Sequence, residues 1–345
     1  MEIFEDQNTS KDLEQLAIGL LKKFERIKLG HFPTPIEHLK NITKYLNGPN
    51  IFIKRDDCTG LATGGNKTRK LEFLIPDAIK NKAELVVTVG AVQSNHARQT
   101  AAACALVGLK CLIILEQRLK DPPETYMKSG NVFLDKLFGA DIKVCPKNVD
   151  VINYSEKLIK DLKSKGTNVY FIPGGGSNPV GALGYVECLN EIIKENKKYN
   201  FTHIVHATGS AGTQAGLLAG KKYFNCDIHV IGICVRHKKD IQVDKVFEEA
   251  TKTCEKLGCD VLNKSDVVVY DEYIGTGYGE PTEGMIEATK LLARKEAILL
   301  DPVYSGKAFA GLVELIRNKK FTNKDNVLFI HTGGAASLSA YEWAF

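Results

Sequence analysis

Short apolar segments alternate with longer helical patterns through most of the chain, and this alternation restricts the fold more than any other feature of the sequence. A strand, a helix and a second strand at this spacing are typical of a βαβ unit, so we expect a parallel sheet with helices on both faces. The apolar segments of the first series are Leu85–Val89, Cys111–Leu115, Ile142–Val144 and Val169–Ile172. The helical patterns between them cover 94–107, 128–139 and 151–164.

A second series of the same kind begins after the glycines at 174–176. Its apolar segments are His203–Ala207, Ile228–Cys234, Val267–Tyr270 and Val327–His331. Because a chain of 345 residues is long enough for two domains, the two series predict an α/β protein with two three-layer αβα domains and mostly parallel sheets. Ahead of both series, the sequence predicts an amphipathic helix at 11–27 and a strand at 51–55.

Charge and composition argue against several classes of protein. The 46 basic and 41 acidic residues give a net charge of +5 that is spread along the chain, which disfavours nucleic acid as the partner and suits an anionic small molecule. The nine cysteines form no CxxC pair and no cluster at zinc spacing, so we expect reduced thiols and no metal. The first residues are acidic and no apolar run reaches membrane-spanning length, so we expect a cytoplasmic protein with no membrane partner.

The segment 63–70 places a lysine directly after two glycines. Gly64 and Gly65 let the backbone approach a ligand closely, and a helical pattern follows over 68–82. An amine held beside apolar side chains can have a lowered pKa and become nucleophilic, which would make Lys67 a Schiff-base lysine. The alternative is a solvated cation at the start of a helix, and these eight residues alone favour that alternative.

Two further turns between a strand and a helix expose backbone amides. Ser94 and Asn95 follow the first strand of the first series. Ser94 either acts only as an N-cap or forms, with Asn95, a carboxylate site at the positive end of the helix dipole. The segment 207–216 has glycines at 209, 212 and 216, with hydroxyl side chains between them. It is neither a P-loop nor a Rossmann fingerprint, and it is interpreted as a phosphate cradle rather than only a tight turn.

Two tyrosines lie in loops rather than in a helix or strand. Tyr278 is part of the glycine-rich segment 275–281, and Tyr304 lies between a strand and a helix. A tyrosine usually packs with its hydroxyl bonded, but tyrosines in loops at strand ends are candidates for acid–base catalysis. His331 ends the last strand before a Gly-Gly turn, and we interpret it as a packed histidine rather than a ligand.

Five of these segments occur together, in this order and at this spacing, in one known family. They are Gly64–Glu72, Gln93–His96, Thr208–Gly216, Asp301–Tyr304 and His331–Gly334. From Leu29 to Tyr341 the chain resembles the pyridoxal-phosphate enzymes that include D-cysteine desulfhydrase and 1-aminocyclopropane-1-carboxylate deaminase. The resemblance implies the tryptophan-synthase β-like fold, called fold type II, with pyridoxal 5'-phosphate as the cofactor. It further implies a larger cofactor-binding domain (1–69 and 186–345), a smaller substrate-side domain (70–185), a small amino-acid substrate and a homodimer.

The resemblance also assigns roles to single residues. The Schiff base falls on Lys67, and Asn95 bonds the phenolic oxygen of the cofactor. Ser94 meets the substrate, which Tyr278 and Tyr304 flank, and these three are the catalytic residues together with Lys67. The residues assigned to cofactor binding are Lys67, Asn95, Thr208, Gly209, Ser210, Ala211, Gly212, Thr213, Ser305 and Thr332. Those assigned to substrate binding are Ser94, Asn95, His96, Tyr278 and Tyr304.

Within this family, two positions separate the deaminases from the desulfhydrases. The deaminases carry a glutamate where this chain has Ser305 and a glutamine where it has His96. A carboxylate keeps the pyridine nitrogen protonated, whereas a hydroxyl leaves the ring mostly neutral, which suits elimination of a good leaving group. The resemblance therefore implies D-cysteine as substrate, giving pyruvate, ammonia and hydrogen sulfide. The alternatives are a deaminase, a lyase for L-cysteate or another β-substituted amino acid, and a non-catalytic amino-acid sensor. The segment 280–283 departs from the family pattern beside Tyr278, so the substrate pocket can differ from that of the family.

Overall fold

The computed structural model describes residues 24–345, and within this range ten strands form two sheets. The strands are β1 (Ile36–His38), β2 (Asn50–Lys54), β3 (Leu85–Ala91), β4 (Lys110–Glu116), β5 (Asp141–Val144), β6 (Val169–Ile172), β7 (His203–Thr208), β8 (His229–Cys234), β9 (Val268–Tyr270) and β10 (Asn326–Ile330). The larger sheet has the order β1-β2-β10-β7-β8-β9, and the smaller has the order β5-β4-β3-β6. Every pair is parallel except β1 with β2, which confirms the predicted α/β class and the mostly parallel sheets.

Helices connect the parallel strands and cover both sheets. They are α1 (Lys40–Leu46), α2 (Lys67–Lys80), α3 (Asn95–Val107), α4 (Glu124–Lys128), α5 (Gly130–Leu137), α6 (Val151–Ser164), α7 (Pro179–Tyr199), α8 (Gly212–Phe224), α9 (Lys239–Leu257), α10 (Glu283–Glu296) and α11 (Ser305–Arg317). A run of 3-10 turns over Ala335–Ala344 ends the chain. None of these helices is long and apolar enough to cross a membrane.

Both faces of each sheet are buried, as the apolar strands predict. Ile204 and Val205, neighbours on β7, point into different apolar clusters, and Val86 and Val87 on β3 do the same. Successive residues of a strand face opposite sides of the sheet, so each sheet lies between two layers of helices. The four strands of the smaller sheet fall inside 70–185, while the exact domain boundaries stay a prediction.

The structure differs from the sequence-based expectations in three places. The helix expected at 128–139 is divided in two, because Ser129 takes an extended conformation (φ −100°, ψ −171°) between the end of α4 and the start of α5. The short edge strand β1 was not predicted; it pairs with β2 directly after the prolines at 33 and 35. Residues 11–23 of the helix expected at 11–27 lie outside the described part of the chain, and residues 24–27 are not helical.

Candidate active site

Lys67 is the first residue of α2 and follows a tight backbone turn. Gly64 and Gly65 have φ values of +77° and +132°, which residues with a Cβ atom rarely adopt. A Cβ on Gly333, in the turn after β10, would lie only 2.7 Å from the Cα of Gly65. The amide of Asn66 donates to Thr332 O at 3.0 Å across the same contact. The glycines therefore let the lysine segment pack against the end of β10.

The amine of Lys67 is buried and forms no hydrogen bond or ion pair with the described part of the chain. Burial lowers the pKa of Lys67 to about 8, and the negative charge of Asp301 opposes this shift. A lysine with such a pKa is partly neutral near pH 7, and the neutral amine is nucleophilic. The environment therefore suits a lysine that bonds a carbonyl group and rules out the solvated cation considered above.

The loop after β7 exposes a series of backbone amides beside this lysine. The amides of Gly209, Ser210 and Ala211 have no acceptor within residues 24–345. Ala211 adopts a φ of +75°, a conformation that helps successive amides to converge on one point, and α8 begins at the next residue. A helix N-terminus with open amides is suited to a phosphate group.

A second lysine supports this loop and was not predicted to be functional. Lys70 donates to Gly175 O at 3.0 Å and to Ser177 Oγ at 3.2 Å. Ser177 Oγ in turn donates to Ser210 Oγ at 2.9 Å and accepts from Gly212 N at 3.1 Å. Burial and the nearby Lys67 hold the pKa of Lys70 well below its usual range. Its position one helical turn after Lys67 is the sequence signal that could have identified it.

Asn95 is held with its amide nitrogen available to a ligand. Its Oδ1 accepts from Arg98 Nη1 at 3.0 Å and from Asn131 Nδ2 at 2.9 Å, so Nδ2 faces the cavity as a donor. Arg98 also donates to Gly64 O at 2.7 Å, which connects Asn95 to the lysine segment. The preceding Ser94 is the N-cap of α3, as predicted, since its Oγ accepts from Ala97 N at 3.1 Å.

The two loop tyrosines meet at the mouth of the site. The hydroxyls of Tyr278 and Tyr304 hydrogen-bond to each other, and their rings pack edge to face with centroids 5.7 Å apart. Burial raises the pKa of both phenols, that of Tyr304 the more strongly because Tyr278 adds to it. Lys307 donates to Ile274 O at 2.6 Å and to Gly277 O at 2.9 Å, and so holds the loop that carries Tyr278.

Ser305 and the buried Asp301 form one turn at the start of α11. Ser305 Oγ donates to Asp301 Oδ1, while Asp301 Oδ2 accepts from the amides of Val303 and Tyr304, both at 3.1 Å. Burial raises the pKa of Asp301, and the hydrogen bonds from Ser305 oppose that shift. Ser305 does not line the cavity beside Lys67, so its contact with a cofactor stays a prediction.

Two histidines near the site are neutral and engaged by the protein. His96 Nε2 lies 2.8 Å from Thr88 Oγ1, and burial holds the pKa of His96 well below its usual range. A substrate contact through that nitrogen would require the ring to turn, and the substrate role of His96 stays a prediction. His331 Nδ1 accepts from Gly333 N at 3.2 Å while Nε2 bonds Leu299 O at 2.9 Å, consistent with the packed histidine we expected.

These groups surround an inner cavity that opens into a wider outer cleft. The inner cavity, counted together with its opening to solvent, contains about 410 Å³ of space between protein atoms. The predicted residues on its walls are Lys67, Asn95, Thr208, Gly209, Ser210, Ala211, Thr213, Tyr304 and Thr332. The outer cleft brings in Ser94, His96 and Tyr278, whereas Gly212 and Ser305 lie behind the walls. A partnerless buried amine, three open amides and a free amide donor fit an aldehyde, a phosphate and a phenolic oxygen, the three polar parts of pyridoxal phosphate.

The fold and this site define a fold type II enzyme built around a buried lysine. Residues 27–333 match the family model described as pyridoxal-phosphate dependent enzyme, and the chain belongs to that family. A solved structure described as a 1-aminocyclopropane-1-carboxylate (ACC) deaminase homologue shares 38% identity over 94% of this chain and 97% of its own, with a TM-score of 0.86.

Two more distant solved structures share the fold. One is a hydrogen sulfide-producing enzyme from Fusobacterium nucleatum, with 15% identity over 92% of this chain and 97% of its own, and a TM-score of 0.64. The other is O-ureido-L-serine synthase, with 14% identity over 94% of both chains and a TM-score of 0.65. The family confirms the expected fold type and the cofactor, pyridoxal 5'-phosphate.

Proposed function

We propose that the protein is a lyase that eliminates sulfide from D-cysteine and leaves pyruvate and ammonia. The observation that carries this choice is the neutral Ser305 at the position where the deaminases of the resembling family have a glutamate. Its hydroxyl is committed to Asp301 at 2.7 Å, and Asp301 in turn is saturated by hydrogen bonds from its own turn. Neither residue therefore offers a free carboxylate that could keep a pyridine nitrogen protonated.

The residues of the inner cavity would hold the cofactor by its three polar parts. Lys67 would hold the aldehyde carbon, the amides of Gly209 to Ala211 the phosphate, and Asn95 Nδ2 the phenolic oxygen. When bound, pyridoxal phosphate supplies an electron sink for a carbanion at Cα of the amino acid. The protein then has to orient the substrate and move one proton.

The outer cleft contains the groups for these two tasks. Ser94 and the open amides at the start of α3 are suited to the substrate carboxylate, because the helix dipole favours an anion there. Tyr278, Tyr304 or Lys67 takes the Cα proton. The C–S bond then breaks with its electron pair on sulfur, and water converts the remaining fragment to pyruvate and ammonia. General base catalysis of this kind contributes about 10²- to 10⁴-fold in rate.

The test is a direct comparison of substrates. Sulfide release from D-cysteine and from L-cysteine is measured beside ammonia release from 1-aminocyclopropane-1-carboxylate. We expect D-cysteine to have the highest kcat/KM. Faster deamination of the cyclopropane would favour the deaminase, and the absence of turnover with all three would favour a sensor or another β-substituted substrate.

A pair of variants tests the importance of position 305. Ser305→Glu introduces a carboxylate, while Ser305→Gln introduces a neutral side chain of the same size into the same buried position. We expect both variants to lose sulfide release through crowding, and Ser305→Glu to lose more. Equal activity of the two variants would mean that charge at position 305 does not determine which substrate is used.

A further inference from the structure

Tyr341, in the 3-10 segment Ala335–Ala344, is fully buried, and its hydroxyl reaches the loop that carries Tyr278. The hydroxyl donates to Gly279 O at 3.0 Å, and Gly279 directly follows Tyr278. Gly279 has a φ of +81°, and a Cβ there would lie 3.1 Å from the hydroxyl oxygen of Tyr341. Burial raises the pKa of Tyr341, so its phenol stays protonated and remains a donor. Tyr341 therefore bonds the backbone of the loop directly beside Tyr278.

The ring of Tyr341 connects this loop to the helices of the smaller sheet. It packs edge to face on the ring of the buried Tyr126, in α4, with centroids 5.4 Å apart. The backbone oxygen of Tyr126 accepts from Gln93 Nε2 at 2.6 Å, and Gln93 directly precedes Ser94. Tyr341 thus lies between the loop of Tyr278 and the turn that carries Ser94.

A close approach at Gly130 fixes the segment Ala335–Ala344 in this place. Gly130 has a φ of +58°, and a Cβ there would lie 2.5 Å from Gln93 Oε1 and 3.1 Å from Ala336 O. Only a residue without a side chain lets these backbones come so near. Packing therefore fixes the ring of Tyr341, and its hydroxyl can be removed by itself.

We propose that Tyr341 is a positioning residue that holds Tyr278 at a set distance from Ser94, with the amino-acid substrate between them. The glycines around Tyr278 restrict the backbone little, so the position of its phenol depends on bonds from outside the loop. Lys307 bonds two carbonyls before Tyr278, and Tyr341 bonds the carbonyl directly after it. This inference rests on the proposed function only in that the substrate lies between Tyr278 and Ser94.

The experiment uses Tyr341→Phe, which removes the hydroxyl and keeps the ring that packs on Tyr126. Chymotrypsin cleaves after tyrosine, and its attack on the bond between Tyr278 and Gly279 in the native holoenzyme requires the loop to leave its place. Loss of one hydrogen bond to the loop should make this cleavage about twofold to tenfold faster, as followed by mass spectrometry. Lys307→Met should also make it faster, because Lys307 bonds the same loop.

Tyr170→Phe is the matched control, because it removes a hydroxyl that donates to Asp77 from a strand of the smaller sheet. Cleavage after Tyr278 should keep the wild-type rate in this variant. Trp343 is the one tryptophan of the chain and stacks on Tyr341, so its emission maximum reports the packing of the segment and should not change in Tyr341→Phe. The inference is overturned if Tyr341→Phe is cleaved at the wild-type rate, if the control is cleaved as fast as Tyr341→Phe, or if the emission maximum shifts.

Turnover gives a second readout of the same contact. With the amino acid that the wild type converts fastest, Tyr341→Phe should lower kcat about twofold to tenfold and keep KM within about twofold. In a Tyr278→Phe background it should have little further effect. An unchanged kcat, or additive effects of the two substitutions, would overturn the inference. The cleavage assay needs no substrate, so a protein that passes it without releasing sulfide from D-cysteine retains the contact and loses the proposed function.

Discussion

The hydroxyl of Ser305 donates to Asp301 Oδ1 at 2.7 Å, and the amide of Asp301 donates to the same serine oxygen at 2.7 Å. This reciprocal pair closes the turn that precedes α11 and fixes the backbone of Tyr304 between its two members. It also keeps the carboxyl of Asp301 fully buried, at a distance from which its charge acts on Lys67. Asp301, to which the sequence assigned no role, thus affects both Tyr304 and Lys67.

The first prediction concerns the protonation of Lys67. A negative charge nearby favours the ammonium form, so its removal in Asp301→Asn should lower the pKa of Lys67 below its value of about 8. The pKa is measured on the cofactor-free protein from the pH dependence of Lys67 acylation, followed by mass spectrometry. Asp260→Asn, at an exposed position, is the control. An unchanged or higher pKa in Asp301→Asn would contradict the electrostatic link.

The second prediction concerns the loop after β7. Gly209→Asp places a negative charge at the amides proposed to hold the phosphate, and cofactor affinity should fall steeply. Gly209→Ala separates the charge from crowding, because its Cβ meets only Val235 Cγ2 at 3.1 Å and more distant atoms. Dialysis against free cofactor gives the Kd of each variant. Equal affinity of the aspartate and alanine variants would place the phosphate elsewhere.

The third prediction concerns Lys307 as a positioning residue. Lys307→Met removes two hydrogen bonds to the loop that carries Tyr278, so kcat should fall while the KM changes little. If the loss acts through Tyr278, the substitution should have little further effect in a Tyr278→Phe background. Lys320→Met, at an exposed position, is the control for loss of a lysine. Additive effects of the two substitutions would mean that Lys307 acts by another route.

The fourth prediction concerns stability. Asp56 is fully buried and bonds Arg69, which also pairs with Glu191 at 2.8 Å. Asp56→Asn leaves Arg69 with one partner fewer and should cost about 3–5 kcal/mol of unfolding free energy. Burial alone would raise the pKa of Asp56, but Arg69 more than offsets it, and the folded-state pKa is lowered.

A lowered carboxyl pKa stabilises the fold above the unfolded value of about 4, and this contribution is lost as the pH falls through the folded-state pKa. The stability gap between wild type and Asp56→Asn should therefore be largest near neutral pH and narrow on acidification. Denaturant unfolding at several pH values measures it. A gap that widens as the pH falls would contradict the assignment.

Local sequence patterns predict the strands, the helices and the N-cap at Ser94, because each depends on residues close together in the chain. They also predict a phosphate site in the loop at 208–213, since the carboxyl ends of parallel strands lie at one edge of a sheet. The roles of Lys67 and Asn95 come instead from the resemblance to the family. The contacts of Arg118, Lys307 and Asp301 depend on what each side chain meets in three dimensions. Arg118, for example, approaches Tyr278 from a position 160 residues earlier, and no local pattern records that contact.

We expect Lys67 to carry the cofactor. Two other buried lysines are close to the site in sequence, but Lys54 is paired with Glu191 at 2.7 Å and Lys70 donates to Gly175 O at 3.0 Å. Of these three lysines, only Lys67 has an amine without a hydrogen-bond partner in the described part of the chain. Lys67→Ala serves as the control and should give no adduct.

The most direct measurement is borohydride reduction of the purified protein followed by peptide mapping. We expect a yellow protein that loses its visible absorbance on reduction and carries a single cofactor adduct on Lys67. An adduct on Lys70 or Lys54, or a protein that retains no cofactor under these conditions, would contradict it.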